Sequence, residues 1–238
     1  MTDKARRLAG LGLMVIMIPL FVGLMACIPV PIGDPEKSRI DPDLNGTWIF
    51  SDVESVYLYV LEPYDKRTWL VRGLVEFRRA EGDDQNEDPA LGYDEMIAIA
   101  VAAGSDSVID MEQGLYKGWR KKLGKHWFMV WEPKAVETER GEFTPDSWWG
   151  FRLDKIGSDE FRLLMINIDS DLLESFNDKY DSDDYELPRD IKVVQRAFER
   201  EVKRHADDMR LYSSDDEVME LHFYRLRAED RERLAGFL

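Results

Sequence analysis

Trp148-Trp149-Gly150-Phe151-Arg152-Leu153-Asp154-Lys155-Ile156 and Glu160-Phe161-Arg162-Leu163-Leu164-Met165-Ile166-Asn167-Ile168 face each other across Gly157-Ser158-Asp159. Two aromatic- and aliphatic-rich runs around a short turn containing Gly spell a β-hairpin. Strand side chains alternate between faces, so of adjacent Trp148 and Trp149 at most one points inward. Turns this short join antiparallel neighbours, because a parallel pair needs a long crossover.

Outward from this hairpin the same pattern recurs. Gly46–Phe50, Val56–Leu61, Thr68–Arg78 and Lys125–Glu132 read as strands, with a turn at Pro63-Tyr64-Asp65. Glu95–Ala102 and Ser107–Met111 read as a further hairpin across Gly104-Ser105-Asp106. Downstream the period changes. Asp171-Leu172-Leu173-Glu174 has the form of a helix start, and a short helix to about Lys179 follows. Pro188 suits a first helical turn, and Ile191, Val194, Phe198, Val202, His205 and Met209 recur at spacings of three and four. The spacing predicts a long amphipathic helix over 188–212. Glu217–Leu226 returns to strand, and Glu229–Phe237 closes the chain as a short helix. The expectation is a mainly β fold: about eight antiparallel strands in a barrel-like or strongly curved sheet, with the long helix before the last strand. Closure of the sheet removes exposed strand edges.

At the other end, Lys4, Arg6 and Arg7 precede Leu8–Ala26, a run without charge that ends on Cys27, the one cysteine of the chain. A basic segment followed by an apolar one has the form of an export signal. The run also approaches the ~20 residues that span a bilayer, so an uncleaved membrane helix is the alternative. Ile28-Pro29-Val30-Pro31 stops a helix there. With four prolines, Ile28–Asp43 reads as an extended tether whose role is spacing. The expected organisation is a signal at 1–26, Cys27 and the tether at 27–43, and one domain at 44–238.

The formal net charge is −16. Removal of residues 1–26 subtracts 3 of the 32 Lys and Arg and 1 of the 48 Asp and Glu, which leaves a net charge of −18. Such a surface repels nucleic acid, whose binding rests on Lys and Arg neutralising phosphate. It equally disfavours adsorption to anionic lipid, so the chain as a whole needs an anchor that is not electrostatic.

Chemistry is sparse. His126, His205 and His222 have no second His or Cys at ligand spacing, which leaves a zinc site unsupported. No Gly-x-Ser-x-Gly elbow occurs, and Cys27 is the single thiol of the chain. Asp84, Asn86, Asp88 and Glu95 fall at positions one, three, five and twelve of a calcium loop, but Pro89 stands where that loop needs Gly. That stretch and Asp181-Ser182-Asp183-Asp184 read as solvated acidic segments. No cofactor, no metal and no enzyme activity is expected. Trp127, Trp131, Trp148 and Trp149 are the candidates to line an apolar pocket, set against the simpler reading that they fill a core.

Leu24-Met25-Ala26-Cys27 resembles the lipobox of bacterial lipoproteins, with Met25 where a smaller residue is usual. The resemblance implies a diacylglycerol on the Cys27 sulfur, cleavage just before it and acylation (palmitate) of the new amino terminus. Ile28 in place of Asp implies the outer membrane, facing the periplasm. Gly46-Thr47-Trp48, opening the first strand, resembles the Gly-x-Trp of calycin or lipocalin-like barrels. There the Trp closes the barrel base, and Arg152 and Arg162 are candidates for that family's late arginine. The function expected is that of a lipid-anchored, non-enzymatic envelope protein that binds a small apolar ligand or an envelope partner. The alternative is a structural or assembly-accessory lipoprotein with a filled core and an acidic working surface.

Overall fold

The computed structural model describes residues 27–52, 55–78, 91–103, 107–110, 114–133, 148–180, 191–214 and 217–238. Its strands are β1 (Cys27–Ile28), β2 (Gly46–Ser51), β3 (Ser55–Pro63), β4 (Trp69–Arg78), β5 (Val108–Asp110), β6 (Leu115–Leu123), β7 (His126–Pro133), β8 (Trp148–Lys155), β9 (Glu160–Met165), β10 (Ser213–Ser214), β11 (Glu217–Val218) and β12 (Glu220–Arg225). The helices are α1 (Tyr93–Ala102), α2 (Glu174–Tyr180), α3 (Ile191–His205) and α4 (Ala228–Arg233). Eight strands run in the order β8-β7-β6-β4-β3-β2-β12-β9, and β9 pairs back to β8, which closes an antiparallel barrel. β1 adds to β8 and β5 to β4. A register shift between Leu58 and Tyr59 helps β3 follow the curve. The opening hairpin forms as β8–β9, and α2 and α3 precede the closing strand β12.

Alternation sorts the side chains into a lumen and two outer layers. Trp48, Phe50, Tyr59, Trp69, Met129, Trp131, Phe151, Phe161 and Phe223 fill the lumen. Outside β6 to β9, α2 and α3 cover Trp119, Phe128, Val130 and Leu164. Outside β2 to β4, α1 and the C-terminal segment cover Ile49, Leu58, Val75 and Phe77.

Four expectations are corrected. Glu95–Ala102 is not a strand but the body of α1. Ile97, Ile99 and Val101 alternate as in a strand, yet the buried set is Tyr93, Met96, Ile97 and Ala100, a helical period. Alanine at every second position favours helix, and Glu95 accepts a 2.9 Å bond from the Gly92 N–H to cap its start. Glu95 thus serves α1, while Asp84, Asn86, Asp88 and Pro89 lie outside the described residues. Secondly, β6 arises from Leu-Tyr-Lys-Gly-Trp-Arg-Lys-Lys-Leu, whose Gly and four cations hide a strand pattern carried outward by Trp119 and Leu123 alone. Thirdly, the helix over 188–212 ends at His205 in its described part, and a separate 3-10 turn covers Met209–Tyr212. Asp208 caps that turn by accepting from the Arg210 N–H, which turns the chain and leaves Met209 exposed.

Lastly, residues 28–43 are no spacer. Ile28, Val30 and Ile32 are at most 1% exposed and alternate into the layer beneath α3. Around them Gln195 Nε2 donates to the Pro31 carbonyl (2.9 Å), the Gly33 N–H donates to Glu199 Oε1 (2.7 Å), and Trp119 Nε1 donates to the Ile32 carbonyl (2.9 Å). Prolines at 29 and 31 remove N–H groups only where the chain needs no ladder partner. The stretch is a strap clamped between barrel and helix.

Candidate functional site

The barrel offers three places where function can sit: the lumen, the closed base, and the strap that leads from Cys27.

In the lumen a column of rings runs from base to rim. Trp48 meets Phe161 edge-on at 4.6 Å, Phe161 stacks on Phe223 at 4.7 Å, and Phe223 meets Trp131 at 6.4 Å. Trp131 touches Phe151 (5.0 Å), Tyr116 (5.6 Å) and Tyr59 (6.1 Å), and Tyr116 reaches Trp149 at 5.2 Å. Flat rings at these separations are in mutual contact, so the column occupies the interior of the small barrel. Burial pushes the Tyr59 phenol well above its usual range and raises that of Tyr116 as well. Both therefore keep their protons at ordinary pH. One polar atom stands out: Trp131 Nε1 is buried with no hydrogen-bond partner among the described residues. It lies over Gly118, where a β-carbon would come within 3.7 Å of it.

Of the four tryptophans singled out in the sequence, three join this interior. Trp131 is central, while Trp127 and Trp149 pack on the same cluster from its margins. Trp127 also carries the Arg120 guanidinium over its ring at 4.3 Å. Trp148 faces out, against the layer that holds Ile28. The rule of opposite faces for Trp148 and Trp149 is what the barrel shows.

The base is closed by polar groups as well as by rings. Trp48 donates from Nε1 to the Leu44 carbonyl at 2.9 Å, and Arg225, at the end of β12, lays its guanidinium over that indole at 4.3 Å. The same guanidinium donates to the carbonyls of Asn45 (2.7 Å), Asp43 and Ser158 (3.1 Å) and pairs with Asp159 at 2.9 Å. Gly46 sits at φ +140°, and a β-carbon there would come within 2.6 Å of Arg225 Nη1. Glycine is therefore required twice over, by backbone and by space. Among the described residues Arg225, and neither Arg152 nor Arg162, is the arginine that covers Trp48. Arg152 forks onto Asp154 (2.7 Å) and donates to the Ala206 carbonyl (2.9 Å), which ties the end of α3 to the wall. Arg162 bridges Asp154 and Glu220.

Beside this clasp, Asp41 joins Arg120 (2.6 Å) and Lys155 (3.3 Å) under the barrel. Burial alone would raise its carboxyl, but the two cations outweigh it and hold it below the usual aspartate range. Glu132 is the opposite case: it is buried on the outer wall, and burial raises its carboxyl more than the nearby Lys117 lowers it.

The three histidines are apart. His126 bonds Asp207 at 2.8 Å and His222 bonds Glu160 at 2.7 Å. Among the described residues no three His, Cys, Asp or Glu are grouped to hold a metal. Sequence reasoning missed Arg225 and the Asp41–Arg120–Lys155 cluster. The only signal for Arg225 was its place at the end of the last strand.

Cys27 enters the barrel directly. Its backbone pairs opposite Trp149, and Ile28 pairs opposite Trp148. Gly150 makes room for the strap, since a β-carbon there would lie 2.8 Å from Ile28 Cδ1. Comparison with protein-family models, with characterised proteins and with solved structures finds no match for this chain.

Proposed function

We propose that this chain is a lipid-anchored protein of the cell envelope whose ring-filled barrel catalyses nothing and works through its exterior. The observation that carries the reading is the continuous ring column from Trp48 to Trp149, which takes up the space an apolar ligand would need. The anchor rests on Leu24-Met25-Ala26-Cys27 and its basic leader. Packing of the strap from Ile28 onward supports a domain held at the lipid surface without a spacer. Two or more acyl chains give durable attachment where one does not.

A second reading is favoured by the unpaired Trp131 Nε1: a small apolar ligand with one acceptor, seated beside Gly118. Two measurements test these readings. Cys27→Ala abolishes palmitate labelling and leaves residues 1–26 attached; unchanged labelling overturns the anchor. Native mass spectrometry of delipidated protein shows the bare chain mass; a stoichiometric apolar molecule that Gly118→Ala expels overturns the filled barrel in favour of the ligand.

A further inference from the structure

The acidic excess of the chain is not evenly spread. On the outer face of β6 and in the turn after it stand Lys117, Lys121 and Lys125, the last paired with Asp207, while Arg120 and Lys122 face inward and Arg120 pairs with Asp41. On α3, which packs over them, Arg196, Arg200 and Lys203 stand at i, i+4 and i+7, on one face of the helix. All three are exposed, and among the described residues none has an ion-pair partner. Like charges stacked at this spacing repel. A chain with 48 acids and 32 basic side chains still leaves these three without an ion pair among the described residues. Of the two carboxylates between them on the helix, Glu199 accepts from the Gly33 N–H and Glu201 pairs with Arg204.

These side chains rim a cleft of about 450 Å³ between α3 and the β6–β7 turn, lined by Leu123, Val193, Arg196, Glu199, Arg200 and Lys203. Its volume lies in the range of small-molecule sites. Its walls are of two kinds. Leu123 is an apolar floor, and Val193 is an aliphatic lip left 49% exposed beside the cations. Guanidinium groups match phosphate oxygens in fork geometry. A phosphate alone would leave the aliphatic lip unused, whereas a phosphate carrying glyceride chains covers it.

We propose that this cleft binds the phosphate headgroup of an anionic phospholipid, with Arg196, Arg200 and Lys203 on the phosphate and Val193 against the glyceride. The choice of a membrane source rests on the envelope reading above and on the strap. Glu199 grips Gly33, six residues from Cys27, so the cleft lies within about 20 Å of the anchor even for a fully extended strap. A chain that repels an anionic surface overall then meets it with a basic face.

The test uses the full chain in nonionic detergent micelles, titrated by calorimetry with dihexanoyl phosphatidylglycerol, dihexanoyl phosphatidylcholine, inorganic phosphate and an octaglutamate peptide. Phosphatidylglycerol is expected to bind saturably and at least tenfold more tightly than the other three. Arg196→Gln and Arg200→Gln each weaken it about fivefold, as loss of one surface cation predicts. Val193→Asn weakens phosphatidylglycerol and leaves phosphate unchanged. All three positions are exposed, so unchanged thermal unfolding certifies the variants. Equal binding of the choline lipid, indifference to Arg200→Gln, or octaglutamate binding as tightly as the lipid overturns the proposal. Cys27→Ala leaves the titration unchanged, so failure of the anchor and failure of the cleft read out separately.

Discussion

The lumen and the layer beneath α3 are both buried and apolar, yet they are built from different material. The lumen is rich in rings, eight of its fifteen buried side chains, in contact with one another from Trp48 to the partly buried Trp149. The outer layer is mostly aliphatic: Ile28, Val30 and Ile32 of the strap against Val194, Ala197, Phe198 and Val202 of α3. A closed barrel fixes its own diameter, so few bulky rigid groups fill it best. A strap and a helix can settle toward the wall, so smaller flexible groups suffice there. Damage should therefore cost more inside than outside, where the layer can relax.

The largest effect is expected for Phe223→Ala, which removes the ring shared by Phe50 (4.5 Å), Phe161 and Trp131. Urea unfolding should show a loss of about 3–5 kcal/mol. Equality with the outer-layer variants below would break the contrast. Next comes Ile32→Ala, expected to cost about 2 kcal/mol because strap and α3 close partly over the gap. No change would mean the strap contributes nothing to the fold. Gln195→Ala should cost about 1 kcal/mol through the lost bond to the Pro31 carbonyl, and faster amide exchange confined to residues 30–33 would sharpen the picture of a strap that opens on its own.

Two carboxylates give the smallest and most diagnostic effects, of opposite sign. Asp41 is held below its unfolded range, so its contribution is present above that range and is lost as pH falls through the lowered value. Asp41→Asn should flatten the acid limb of a stability–pH curve and lower stability at neutral pH. Glu132 is raised, so its contribution is complete below the ordinary glutamate range and is lost as pH rises through the raised value. Glu132→Gln should be neutral in acid and stabilising at neutral pH. A loss of stability at neutral pH would show that the carboxylate has a partner there.

The hairpin, the turn chemistry and the closing strand were legible because β-branched and aromatic residues alternate around Gly and Asp. Two errors cancelled in the strand count. Met96-Ile97-Ala98-Ile99 was read as a strand because β-branched residues alternate there, although Tyr93, Met96, Ile97 and Ala100 carry the helical period. β6 was missed because its inward positions hold Tyr116, Gly118, Arg120 and Lys122, which hide half of the alternation. Lysine and arginine can face the mouth of a barrel when their ends meet an indole or a carboxylate, as Arg120 meets Trp127 and Asp41. The strap misled for a simpler reason. Proline frequency reports the absence of helix and ladder, and Ile28, Val30 and Ile32 between the prolines reported burial.

Gly46 and Arg225 lie at opposite ends of the barrel sequence, and the clasp between them has a temporal consequence. A ribosome releases β2 long before β12, and the two strands that must pair are separated by nearly the whole domain. Until residues 220–225 emerge, one edge of β2 and the indole of Trp48 stay uncovered, and closure waits on a contact of very high sequence separation. The nascent chain is therefore most vulnerable to aggregation just before residues 220–225 emerge. Truncations short of Arg225 should depend on holding chaperones far more than chains that include β12 do.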